Sequence, residues 1–216
     1  MLTLIYLYFY GRPFEGARLT AAIEQMHAAG NGTAKVLEYT PRFHHPAFVP
    51  WLLAQAEQPN LPDKTTDSIE SDLEAITWQR GIVGIKDWKE WYAAHGRETQ
   101  TQWIESALND FDRLVESNPA QAAAVLKWRI YQWGGDAVLE RLPKWCAHAE
   151  LHEAVATWLQ ANDFAAQHAR YAAIAKRILD ERRDTLRDWA RQVLQRIVDK
   201  PPEAPTWEDQ FRWRLL

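Results

Sequence analysis

A single cysteine, Cys146, leaves no internal disulfide to form in this chain of 216 residues and fits a reducing compartment. Basic excess is also missing. Lys and Arg number 25 against 29 Asp and Glu, a net charge of −4, and only residues 161–216 carry more basic than acidic side chains, 11 against 9. A general nucleic-acid binder would show a basic domain, so nucleic acid is not expected as a partner. The apolar run Leu2 to Tyr10 is too short for a membrane span. It lacks the basic lead and small-residue cleavage site of a secretory signal, which predicts a cytoplasmic protein with no membrane partner. Internal repeats and low-complexity stretches are absent. So are Gly-x-Ser-x-Gly, a cysteine in a nucleophile setting, and an identifiable catalytic carboxylate pair.

Tryptophan is abundant, with twelve copies in a chain that is otherwise ordinary at 47% hydrophobic and 25% charged. Its large apolar area and single N–H suit either an aromatic core or a contact surface. Residues 61–120 are acidic, 12 against 6 basic. The length lies between one and two domains and is enough to bury a core.

The opening run, Leu-Thr-Leu-Ile-Tyr-Leu-Tyr-Phe-Tyr, reads as a strand covered on both faces. A helix to about Ala29 follows, with Leu19, Ile23 and Met26 at helical spacing, stopped by Gly30-Asn31-Gly32. Thr33 to Tyr39 reads as a second strand. Prolines 41, 46, 50, 59 and 62 argue against long regular structure in the next twenty residues. From Asp67 onward the pattern is helical. Asp67 with Glu70, Asp87 with Glu90, and Thr99 with Gln102 each have the spacing of a reciprocal cap. Asn118-Pro119 starts a further helix, which runs to Trp133 and is apolar almost all round, implying a central position. Pro143 separates a short helix from another over Lys144 to Ala161. Asp163 caps the longest helix, roughly Phe164 to Val198, whose other face alternates Asp and Arg as a solvated surface. Beyond Pro201-Pro202, the aromatic residues Trp207 and Phe211 recur with Leu215 every four residues.

Four constellations bear on chemistry. Gly11-x4-Gly16 after a strand has the layout of a phosphate-cradling loop, but Ala17 and Arg18 stand where Lys and Ser or Thr are needed. His148 and His152, four apart in an expected helix, supply half of a zinc site. They lack the glutamate directly after the first histidine that a metalloprotease helix uses. The adjacent His44-His45 point in different directions in most backbones and suit a ligand pair poorly. Trp88, Trp91 and Tyr92 read as filling between helices rather than as a stacking platform for bases or sugars.

One family resemblance spans the first eighty residues. Tyr8-Phe9 ends the first strand, Gly11-Arg12 and Arg18-Leu19 lead into the helix, and Val36-Leu37-Glu38-Tyr39 forms the next strand. His45-Pro46-Ala47-Phe48-Val49-Pro50-Trp51-Leu52 and a helix opening at Glu70-Ser71 follow in order. The stretch resembles the thioredoxin-fold domain of glutathione transferases, and an all-helical second domain would match as well. The resemblance implies glutathione as cofactor, Tyr8 as the thiol-activating hydroxyl, a cis Pro50 with Val49 as backbone contact, and Glu70-Ser71 as the clamp on the γ-glutamyl end.

The fold expected is α+β and predominantly α-helical, a small N-terminal strand-helix-strand portion packed against a helical bundle. The expected divisions are 1–80, 81–200 and a proline-hinged aromatic tail, 201–216. The leading functional reading is a non-enzymatic cytoplasmic protein that binds another protein, as an adaptor or as an inhibitor of a larger machine or toxin. Its contact candidates are Trp88, Trp91, Trp207, Phe211 and Trp213, with no cofactor or metal, and self-association of the chain is left open. Second stands a glutathione transferase-like thiol enzyme or a non-catalytic relative. Third is a metal-dependent enzyme using His148 and His152.

Overall fold

The computed structural model describes residues 45–59, 61–130, 133–163 and 168–200, together with Ala21, Glu24, Gln25 and Ala28, which are helical and exposed. Among the described residues every regular element is helical and no strand occurs. The fold is therefore helical there, which corrects the α+β expectation and removes the strand-helix-strand portion from the reading. The two segments expected as strands, 2–10 and 33–39, lie outside the described residues. No described helix is long and apolar enough to cross a membrane.

The chain divides into two compact units, the first running to Ala107 and the second starting at Leu108. The boundary expected near residue 80 lies inside the first. In that unit, α1, Phe48–Gln55, buries Phe48, Val49, Leu52 and Leu53 as a stripe at helical spacing. Pro50 sits in its first turn, where a backbone N–H has no intrahelical partner to lose. Helix α2, Asp63–Thr77, starts after extended Pro62 and buries Ile69, Leu73 and Ile76. It ends at Trp78, whose φ of 62° is left-handed. Its amide still reaches the Glu74 carbonyl at 2.8 Å, in the manner of a helix-ending residue.

Helix α3, Ile85–His95, starts after Gly84, held at φ 86° and ψ 149°. The Gly84 amide meets Glu70 Oε2 at 3.4 Å, tying α2 to the start of α3. Helix α4, Gln100–Ser117, opens on the expected reciprocal cap: Thr99 N donates to Gln102 Oε1 at 2.8 Å and Gln102 N to Thr99 Oγ1 at 3.3 Å. Asp67 and Asp87 cap nothing. Asp67 lies inside α2 and Asp87 inside α3, since Pro62 and Gly84 start those helices earlier. The first core joins the α1 stripe to Ile69, Leu73, Ile76, Trp88 and Trp103.

In the second unit, Leu108, Phe111 and Val115 of α4 are fully buried. Helix α5, Pro119–Trp128, starts as expected, with Asn118 Oδ1 accepting from Gln121 N at 3.1 Å. It ends five residues short of Trp133. The stretch from Lys144 to Ala161 is three elements, not one helix. Leu142–Trp145 forms α7 after the single turn α6, Asp136–Leu139, then Ala149–Leu151 forms a 3-10 turn and His152–Asn162 forms α8.

The long helix expected over 164–198 is also broken. Helix α9, His168–Arg182, and α10, Asp188–Asp199, are joined by a turn over 183–187 in which Leu186 is buried. The turn lets Tyr171, Ala175 and Ile178 of α9 and Ala190, Val193 and Ile197 of α10 all be buried, which a straight rod would leave half in water. Trp158 of α8 stacks on Tyr171, ring centres 5.9 Å apart. Phe111 stands edge-on to Trp133 at 5.1 Å and to Trp145 at 4.8 Å.

Candidate functional site

Tyr8, Trp207, Phe211 and Trp213 lie outside the described residues. Val49 is fully buried, and its amide donates to the Pro46 carbonyl at 3.1 Å, so that backbone donor is already used. No cis peptide bond occurs among the described residues, and Pro50 is helical. Glu70 and Ser71 sit in mid-helix on α2 instead of opening a helix, with Ser71 exposed and Glu70 turned to Gly84.

Trp88, named as a contact candidate, is 1% exposed and packs in the first core. Trp91 is half-buried, edge-on to Trp88 at 5.8 Å and stacked on His95 at 5.2 Å. The filling role expected for this aromatic group is what these packing distances describe.

His148 and His152 do not share a helix face. His148 precedes the 3-10 turn in extended backbone, its Nε2 3.8 Å from Glu116. His152 begins α8 and is 1% exposed. Burial lowers its pKa, against a bond to the Cys146 backbone that raises it. Cys146 is itself fully buried, and burial pushes its thiol up to about 12, with the Arg182 charge acting the other way. A thiol held protonated is a poor nucleophile. No group of three or more His, Cys, Asp or Glu side chains suited to a metal occurs among the described residues.

Two features that sequence reading missed stand out in the second unit. The first is a surface. Trp128, at the end of α5, is 79% exposed, and Trp189, at the start of α10, is 44% exposed. Each adjoins or nearly adjoins a cation held by Glu153 of α8: Lys127 Nζ is 3.0 Å from its Oε2 and Arg187 Nη1 is 3.5 Å from its Oε1. The Lys127 hydrogen bond and charge, followed by Arg187, hold the Glu153 carboxyl below its ordinary range. A helical-wheel count carried the missing signal. At about 100° per residue, Ala122, Ala123 and Leu126 share one arc and Trp128 falls nearly opposite.

The second feature is a buried polar cluster where α8, α9 and α10 meet. His168 is 5% exposed, with Nδ1 2.7 Å from Asp163 Oδ1 and Nε2 3.0 Å from the Lys200 carbonyl oxygen. The Asp163 side chain is 6% exposed, and Lys200 Nζ lies 3.6 Å from its other oxygen. Asp163 and Lys200 also line a pocket of about 240 Å³ with Gln160, Val193, Arg196 and Ile197. Asp163 was expected to cap a long helix. It directly follows the last residue of α8, and its carboxylate meets His168; residues 164–167, where the expected helix would begin, lie outside the described residues.

No family model, curated protein or solved structure matches this chain.

The arrangement within the second unit can therefore do two things on its own chemistry. The Trp128 and Trp189 indoles expose apolar area at positions next to, or two residues from, the Lys127 and Arg187 partners of Glu153, and the His168 ring lies between two oxygen acceptors.

Proposed function

We propose that this protein works by binding another protein, as an adaptor or as an inhibitor of a larger assembly or toxin, through the surface of its second unit around Trp128. The supporting observation is the exposure of that indole, 79%, when Trp88, Trp103, Trp133, Trp145 and Trp158 are all buried. An exposed tryptophan adds little to its own fold, and tryptophan is the residue most enriched where binding energy concentrates at interfaces. Trp189 is also partly exposed, and the part-exposed Lys127, Glu153 and Arg187 ion pairs, close to both indoles in sequence, are of the polar kind found at interface rims. We place this activity in the cytoplasm, which the lone, buried and protonated Cys146 supports.

The test is affinity capture of the tagged full-length chain from a lysate of its source, beside Trp128→Ser, Trp189→Ser and a copy truncated after Lys200. One stoichiometric partner held by the parent and lost by Trp128→Ser supports the proposal. A partner that survives Trp128→Ser and is lost on truncation moves the contact to Trp207, Phe211 and Trp213 and overturns the assigned surface. Recovery of nothing overturns protein binding as the function.

A further inference from the structure

His152 stands one residue before the carboxylate that gathers Lys127 and Arg187. It opens α8, is 1% exposed, and its Nδ1 is buried with no hydrogen-bond partner among the described residues. A doubly protonated ring carries an N–H on Nδ1 as well as on Nε2. Here that extra donor has no acceptor, and the extra charge is shut away from water, both of which are costly. The Arg187 and Arg182 charges also act against the proton, whereas the Glu150 charge and a bond to the Cys146 backbone favour it.

The two opposing arginines bound one turn. Arg182 ends α9, and Arg187 directly precedes α10. The Arg182 carbonyl accepts from Thr185 N at 2.9 Å and Leu186 N at 3.0 Å, and Arg191 Nη2 donates to the Leu186 carbonyl at 3.0 Å. The buried Leu186 side chain seats the turn. Its ion pair to α8, Arg187 with Glu153 at 3.5 Å, is largely exposed, the weakest kind of tether. Arg182 Nε is buried with no partner among the described residues, so its charge has no local counter-ion to shield it from a charged ring.

We propose that His152 is an acid-sensitive latch, which seats the turn 183–187 while its ring is neutral and unseats it when the ring takes a second proton. Unseating moves Arg182 and Arg187 away from the ring, lets water reach it, and releases Arg187 from Glu153. The first turn of α10 loosens with it, and Trp189 lies there. If the binding surface is the one assigned above, acid therefore regulates that surface; the latch itself does not depend on that reading.

The other ionisable groups around the ring stay fixed across about pH 5 to 7.5. Cys146, after α7, keeps its proton because burial pushes the thiol up to about 12. Glu153 of α8 stays ionised, since Lys127 of α5 and Arg187 hold its carboxyl below the ordinary range. Asp188 of α10 pairs with Arg191 at 3.4 Å, and His148 is turned to Glu116 of α4, 3.8 Å away.

The test uses the full chain labelled with nitrogen-15 over that pH range. Imidazole nitrogen shifts report the protons on His152. Amide hydrogen exchange, corrected for its intrinsic pH dependence, reports the turn through the amides of Thr185, Leu186 and Arg191, the last bonded to the Arg187 carbonyl at 3.0 Å. The expected result is a fall in protection at these three amides as pH drops below about 6.5, by up to about tenfold per pH unit, the slope of one linked proton. The Ala122 amide, bonded to the Asn118 carbonyl at 3.0 Å in α5, should keep its protection. The variant His152→Leu should hold the three amides at one protection throughout. Protection in the turn that ignores pH, a fall shared equally by Ala122, or a His152 ring that stays neutral until the whole chain unfolds would each overturn the latch. The wild-type titration decides the matter even if the variant does not fold. No partner enters the experiment, so the latch can fail while the binding surface stands, and stand while capture recovers nothing.

Discussion

Trp158 Nε1 donates to the backbone carbonyl of Trp133 at 2.7 Å, deep in the second unit, where both residues are fully buried. Trp88, equally buried in the first unit, has no hydrogen-bond partner for its Nε1 among the described residues. The two indoles are opposite cases of one rule: a buried donor stabilises only when it is met. Trp158→Phe removes that buried hydrogen bond as well as shrinking the ring and should cost about 2 to 4 kcal/mol. Trp88→Phe shrinks the ring but removes an unmet donor, so it should cost about 1 kcal/mol or less. Urea denaturation of both variants beside the parent checks the contrast, and equal losses would refute it.

Acid should weaken this protein through His152. Burial holds its pKa below the ordinary histidine value in the folded state, and its Nδ1 is buried with no partner among the described residues. The unfolded chain therefore takes up a proton on this ring first as pH falls. Stability from His152 is complete above about pH 6.5, the unfolded value, and is lost progressively below it towards the lower folded value. The urea midpoint should drop between pH 7.5 and 5, and His152→Leu should flatten part of that slope. An unchanged slope in the variant would assign the drop to other groups.

Helix starts separate real caps from apparent ones. Asn118→Ala removes an oxygen that accepts from Gln121 N and should cost about 1 kcal/mol, whereas exposed Asp67→Ala, inside α2, should cost under about 0.5 kcal/mol. Gly84→Ala meets no atom within 4 Å, so its penalty is backbone strain alone at φ 86°. That strain should amount to about 1 to 3 kcal/mol. Thermal or urea unfolding of the three variants ranks them.

Cys146 should be inert in the native state. With the side chain fully buried and its thiol pushed up to about 12, iodoacetamide at pH 8 should leave it unmodified over hours and label it fully in denaturant. Rapid native labelling, read by mass spectrometry, would show that the thiol is reached by solvent.

Some of the architecture was readable because it is local. The pairing of Thr99 with Gln102 and of Asn118 with Gln121 closes within one turn, so residue type and spacing suffice. The same three-residue spacing at Asp67 and Asp87 misled because it also occurs inside helices already started upstream. His148 and His152 misled for a related reason: a spacing of four marks one face only along an unbroken helix, and a new helix begins at His152. The proline-rich stretch after residue 41 was expected to hold no long regular structure, and the eight-residue α1 there carries Pro50 in its first turn, where its missing N–H is not needed.

The sequence by itself determined that the described part of this protein would be rich in capped, amphipathic helices carrying many indoles, because those signals lie within a few residues of each other. Only the tertiary structure decided which indoles are core and which face water. Trp88 and Trp128 are the same residue in similar helical settings, and the difference lies in which helix face another element covers. The same holds for His168, whose two partners come from Asp163 and Lys200. Folding α10 back along α9 brings a carbonyl 32 residues away to the ring, and no local spacing encodes that meeting.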